Sequence, residues 1–318
     1  MASLKDVGER ALIDRILKDI RGSSYIGPGD DAACMDVNGT KVVICTDIVS
    51  FDKHLAEGMT MKDFGWLAAA VNFSDIASMG ARPVGILAAV SLPPETDEEC
   101  LYDIMKGIME CSSLVNADIL GGDTKPGPGS VCGTAVGICD HRVLTRGGAR
   151  PGDIVAVTGG LGSAAAGWYA ALNNIDEKDA LNAVKRPIPR VKEGIILSEK
   201  GIATSCMDIS DGLSATAAAI CKSSGVGMDI LWEALPKGKG VESVCKTLNI
   251  PEKELMLSGG GEYELMFTFR EEHLSVLHDS DMDVHIIGKV TEGNRTNLIA
   301  DGKSEQMESK GYEHFTKG

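Results

Sequence analysis

The pattern of strand-like and helix-like runs in this chain stops at Gly147-Gly148-Ala149-Arg150-Pro151-Gly152-Asp153 and then begins again. Polar stretches punctuated by Gly and Pro mark domain boundaries. Before it, the spacing predicts an amphipathic helix over 8–20, with Leu12, Ile16 and Ile20 on one face. A β-branched run follows at 41–46, then a helix at 60–79 and a strand at 83–92 stopped by Pro93-Pro94. A helix at 97–116 opens on acidic residues, a favourable N-terminal charge pattern. Strands are expected at 117–121 and 131–139. After the break, a strand at 154–158 runs through a Gly-rich turn into a helix. Helices at 189–200 and about 213–224 then alternate with strands at 202–207, 226–231, 263–269 and 284–290. This alternation predicts two α/β (α+β) units, over residues 1–148 and 149–318. A chain of 318 residues has room for both.

Lys and Arg number 31 against 46 Asp and Glu, a net charge of -15. Such a surface repels phosphate backbones, so nucleic acid is not expected as a partner. Cations, and anions arriving as metal complexes, remain. There is no run of about 18 apolar residues, so no membrane span is expected, and the first ten residues lack the apolar core of a signal peptide. The 9 cysteines are scattered without a Cys-x-x-Cys pair. They read as buried free thiols in a reducing cytoplasm, not as a zinc site.

The common nucleotide motifs fail: there is no Gly-x-x-x-x-Gly-Lys-Ser/Thr and no kinase-type catalytic loop. Gly160-x-Gly162-x-x-Ala165 stands between a strand and a helix, but no strand ending in an acid follows at the right distance. We read it as a tight strand-to-helix turn. The stronger signal is a set of carboxylates at the ends of apolar runs: Asp30-Asp31, Asp47, Asp123, and Asp208 with Asp211. Asp75 joins them from an otherwise apolar helix. One such Asp is ordinarily a turn former or a helix cap. Several converging on one cleft would require cations or raised pKa values, and hard oxygen donors select Mg²⁺, which usually arrives with substrate phosphates. The sequence therefore points to a phosphate-handling cleft with several Mg²⁺ ions.

These residues fall in an ordered series: Gly8-Glu9, Ile26-Gly27-Pro28-Gly29-Asp30-Asp31-Ala32, Thr46-Asp47 with His54, Asn72-Phe73-Ser74-Asp75, Gly121-Gly122-Asp123-Thr124, Leu144-Thr145-Arg146-Gly147-Gly148, Asp208-Ile209-Ser210-Asp211-Gly212, Ser258-Gly259-Gly260, Tyr263-Glu264-Leu265 and Gly311-Tyr312-Glu313. The series resembles the thiamine-monophosphate kinases of the aminoimidazole ribonucleotide synthetase-like ATP-binding superfamily over nearly the whole chain. The resemblance implies a two-domain fold whose N-terminal domain pairs with that of a second copy in a homodimer. It implies phosphoryl transfer from ATP to thiamine phosphate. It further implies that Asp30, Thr46, Asp47, Asp75, Asp123, Asp208 and Asp211 hold Mg²⁺. Gly122, Asp123, Arg146 and Ser210 would touch ATP, and His54 and Tyr312 the thiamine phosphate.

One stretch departs from the family. Its usual Ser-Gly-Gly-Glu-Asp-Tyr-Glu-Leu reads here Ser258-Gly259-Gly260-Gly261-Glu262-Tyr263-Glu264-Leu265. Gly261 stands where a substrate-side Glu belongs. Either Glu262 reaches the acceptor by a longer arm or that contact is lost. Two alternatives stay open: a kinase for another small phosphate or nucleoside-like acceptor, and a nucleotide–Mg-binding paralogue without turnover.

Overall fold

A computed structural model of the chain describes residues 4–20 and 25–311. Tyr312, expected at the acceptor, lies outside them. Two sheets divide the chain. The first uses β1 (Ala33–Val37), β2 (Thr40–Ser50), β3 (Arg82–Leu92), β4 (Asp118–Pro126) and β5 (Ser130–Cys139) in the order β1-β2-β5-β3-β4. Only β3 and β4 run parallel. The second uses β6 (Ile154–Thr158), β7 (Ala203–Asp208), β8 (Gly227–Leu231), β9 (Leu265–Phe269), β10 (Val284–Thr291), β11 (Thr296–Ala300) and β12 (Lys303–Gln306) in the order β12-β11-β8-β10-β6-β9-β7.

The helix Met61–Ser78 is the spine of the molecule. Thr60 and Asp63 close a reciprocal capping box at its start. From Phe64 to Ser78 every residue except Asp75 is buried, so the helix has no solvent face and no amphipathic stripe. On one side it packs against the helix Glu98–Leu114 at backbone distance. A Cβ at Gly65 would fall 1.9 Å from the Ile104 carbonyl oxygen, and one at Gly107 equally close to that of Lys62. Another side lies on β2 and β5. Towards the second sheet, the Trp66 indole donates to the Pro187 carbonyl at 2.8 Å, and Arg186 Nε pairs with Asp63 at 2.6 Å.

Among the described residues, the first sheet is covered on one face only. Val43, Cys45 and Val49 of β2 point at the helices, whereas Ile48 is 62% exposed on the other face. All nine residues of β4 are exposed. The expected elements are present with shifted ends. The helix 8–20 is Glu9–Asp19, but Ile16 and Ile20 of its apolar face are exposed. The run 117–121 opens a strand of nine residues. Asp47 does not close its strand, because β2 pairs with β5 as far as Ser50 opposite Ser130. Asp123 is likewise internal to β4.

Candidate phosphoryl-transfer site

Asp208 is the last residue of β7, as a ligand-binding residue at a strand end should be. Asp75 lies in the spine helix, one turn beyond Asn72. Asn72 Nδ2 donates to the Ala68 carbonyl at 2.9 Å, and its Oδ1 accepts from the Asp47 amide at 3.1 Å. Gly133 leaves the space this requires, since a Cβ there would meet Asn72 Nδ2 at 2.3 Å. Ser74 Oγ donates to Asp208 Oδ2 at 2.5 Å, joining the two sheets' halves of the site directly.

Three carboxylates converge: one oxygen each from Asp31, Asp75 and Asp208 lie within 4.8 Å of one another. Two full charges about 5 Å apart repel by roughly 3 kcal/mol at an effective dielectric of about 20. Burial and this crowding push Asp75 well above the carboxylate range and Asp208 up to about 8. Asp47 is raised by burial, and its carboxyl shares a hydrogen bond with that of Asp75. Arg146 relieves one corner: Nε and Nη2 both reach Asp31 Oδ1, at 3.1 and 2.5 Å. Its backbone N–H donates to Asp30 at 2.6 Å. Asp31 Oδ2 is left buried without a hydrogen-bond partner among the described residues.

The close trio thus contains Asp31, while its neighbour Asp30 holds the Arg146 amide. Adjacent acids in a turn cannot be told apart before the chain direction is known. The Asp30-Asp31 pair was the available signal. Thr46 gives no side-chain oxygen to the trio. Strand alternation turns it away from Asp47, and its hydroxyl donates to the Gly133 carbonyl at 2.8 Å. Gly122 and Asp123 also lie apart from the trio. Gly122 fits β4 against β3, where a Cβ would meet the Ala88 carbonyl oxygen at 2.0 Å. Asp123 is exposed and paired with Lys125 at 3.1 Å, which lowers its pKa.

Ser210 and Asp211 follow Asp208 in a loop stitched to the segment with the family departure. Gly261 N–H donates to the Ser210 carbonyl at 2.7 Å, and Tyr263 N–H to that of Ile209 at 3.0 Å. His54 is half-buried and its Nδ1 accepts from the Ser50 amide at 3.1 Å. Glu262 is held within the chain. Its Oε1 accepts from the Ala164 amide at 2.9 Å, at the start of the helix Ser163–Leu172. The Gly160-x-Gly162 turn is therefore a tight turn whose amides meet the chain's own Glu262 carboxyl group.

Models of AIR synthase related proteins match the chain in two parts, the N-terminal domain over residues 29–139 and the C-terminal domain over 150–301. Thiamine-monophosphate kinase of Pyrococcus abyssi is 35% identical over 91% of each chain. That of Escherichia coli K12 is 34% identical over 97% of this chain and 98% of its own. The chain belongs to the thiamine-monophosphate kinase family. This is a family of phosphotransferases built on two AIR synthase related domains. The solved structure of AaThiL complexed with AMPPCP and TMP superposes with a TM-score of 0.88 at 29% identity, covering 99% of both chains. Among the described residues, no helix is long and apolar enough to cross a membrane.

Proposed function

We propose that this family member transfers the γ-phosphoryl group of ATP in line to thiamine monophosphate, giving thiamine diphosphate and ADP. The observation that carries the reading is the trio Asp31, Asp75 and Asp208 with Arg146 against it. The trio fits Mg²⁺: it offers hard oxygen donors, and one buried Asp31 oxygen has no hydrogen-bond partner among the described residues. Several Mg²⁺ ions, held by Asp30, Asp31, Asp47, Asp75, Asp208 and Asp211, and by Asp123 from the β4 edge, would neutralise phosphate charge when ATP is bound. The remaining contributions belong to the chain. The acceptor oxygen is already deprotonated at pH 7, so no side chain has to serve as general base. Rate then comes from orientation and fixed charge. Arg146 holds Asp31 and, with Gly122 and Ser210, is assigned to ATP. His54 and Tyr312 are assigned to the acceptor, Tyr312 by stacking.

A second copy of the chain is proposed to cover the open face of the first sheet. Ile48, Leu87 and Leu120 are exposed there beside the edge of β4. Monomers rarely leave so large an apolar face uncovered. The acceptor wall has its own departure: Gly261 has φ +87 and presents no side chain, and Glu262 is engaged elsewhere. This observation favours, as a second reading, a related phosphate monoester as acceptor. Measuring ADP release against a panel of phosphate monoesters with Mg²⁺ present separates the two. Stimulation by thiamine monophosphate above all others is expected. If another monoester stimulates and thiamine monophosphate does not, the acceptor assignment fails. If none does, the transfer itself fails.

A further inference from the structure

The trio draws its carboxylates from both halves of the molecule, so something must fix the distance between Asp75 on the spine helix and Asp208 on β7. The Ser74–Asp208 hydrogen bond is one link. A second begins at Arg190, just before the helix Val191–Glu199. Its guanidinium forks onto Glu264, Nε to Oε2 at 2.6 Å and Nη2 to Oε1 at 2.5 Å. Thr158 Oγ1 donates to Oε2 at 2.6 Å, so a buried carboxylate is gripped at both oxygens. The surrounding backbone is shaped to it: Gly159 is left-handed, and a Cβ there would fall 2.2 Å from Glu264 Oε1. Glu264 is in turn tied to the strand carrying Asp208. Its carbonyl accepts from the Ile209 amide at 2.7 Å, and its neighbour Leu265 pairs with Asp208 across β9 and β7.

The same helix also meets the spine helix close to Asp75. Gly194 lies one turn beyond Arg190, and a Cβ there would fall 2.0 Å from the Ala77 carbonyl oxygen. The two helix backbones are thus in direct contact two residues from Asp75. A continuous rigid path runs from Asp75 through Ala77, Gly194, Arg190 and Glu264 to Asp208. The geometry points to Arg190 and Glu264 as positioning residues: their ion pair sets the spacing of the Asp31–Asp75–Asp208 trio and hence its affinity for a divalent cation, though neither side chain belongs to the trio. This deepens the phosphotransferase reading and rests on the trio's being its cation site.

The test uses the full chain and Mn²⁺ as probe, with bound Mn²⁺ read by electron paramagnetic resonance. Asp75→Asn reports whether the signal comes from the trio, and thermal melting and circular dichroism report folding. Arg190→Lys keeps the charge but loses the fork, and Glu264→Gln keeps the shape but loses the charge. We expect the Mn²⁺ dissociation constant to rise at least about tenfold in both, the loss that misplaced ligand support typically causes. The Mg²⁺ concentration for half-maximal ADP release should rise with it, while turnover at saturating Mg²⁺ changes less. A folded Arg190→Lys or Glu264→Gln variant that binds Mn²⁺ as tightly as the unmodified protein overturns the proposal, leaving the pair a fold element only. If Arg190→Lys fails to fold, Glu264→Gln decides, and the double variant Arg190→Met/Glu264→Gln, which removes both charges, decides if neither single variant folds. If Asp75→Asn binds Mn²⁺ like the unmodified protein, the cation-site reading falls, and this proposal with it.

Discussion

Asp208 and Asp123 look alike in sequence, each following a short apolar run, and they end in opposite environments. Asp208 is buried between the two halves of the molecule, beside Asp31 and Asp75, and its pKa rises to about 8. Asp123 lies on an exposed edge strand beside Lys125, and its pKa falls. The difference shows that an apolar run before a carboxylate does not determine its surroundings. The partner elements do. At Asp208 these are the spine helix and the Arg146 loop, whereas β4 has only β3 on one side.

The comparison breaks most sharply in turnover. Asp75→Asn and Asp208→Asn should each cost at least about a hundredfold, the scale of removing a preorganised electrostatic group. Both variants should also be more stable than the unmodified protein without metal. A carboxyl whose folded pKa is raised binds its proton more tightly when folded. Its contribution is full below about pH 4 and is lost as pH rises towards 8. Asn escapes that loss, so melting curves taken without metal should show a gain that grows with pH. An Asp208→Asn variant that melts lower at pH 8 would contradict the crowded-carboxylate picture. Chelating Mg²⁺ should abolish turnover in the unmodified protein; ADP release that persists in excess chelator would remove the metal from the reading.

Asp123→Asn should act differently. Without metal its melting temperature should not move, because the side chain is exposed and surface pairs contribute little. With Mg²⁺ and ATP, turnover should fall by about tenfold, mainly through the KM for ATP, if the β4 edge joins the site only when nucleotide binds. An unchanged KM would leave Asp123 a surface acid.

Two units, the spine helix and the carboxylate series were legible before any coordinates. Apolar periodicity and turn chemistry are local, and the spine helix announces itself by its length and Ala content. Three things were not legible. β1, β11 and β12 escaped notice: β1 and β12 are mostly exposed, and β11 buries only Thr296 and Leu298, so no alternation of apolar residues marks any of them. Which of Asp30 and Asp31 meets the Arg146 guanidinium and which its amide depends on a residue more than a hundred positions away. Glu262 was read from its place in a motif, yet its direction is set by unsatisfied amides at the start of a helix on another segment.

The open face sharpens the same contrast at the level of assembly. Ile48→Asp places a charge on that face, pointing away from the trio. It should turn a dimer into a monomer in light scattering at micromolar concentration, with the melting temperature of the dissociated chain little changed. If the unmodified protein is itself monomeric, a second copy does not cover the face.

The smallest effect is expected at Glu262, a third acid with a third environment. Burial raises its pKa to about 8, although the amides of Gly162, Ala164 and Ala165 pull it down by favouring the charged form. Desolvation is the largest contribution, while the amides at the helix start supply only partial charges. The sign follows as for Asp208: the folded pKa lies above the unfolded value, so stability is full below about pH 4.5 and declines as pH rises through 8. Glu262→Gln keeps a carbonyl oxygen for the Ala164 amide and has no proton to lose. It should melt close to the unmodified protein at pH 5 and a few degrees above it at pH 8. The opposite order, with Gln less stable at pH 8, would mean that the amides outweigh burial. Glu262 would then be a charged cap at the start of that helix, as Asp123 is a charged acid on its edge.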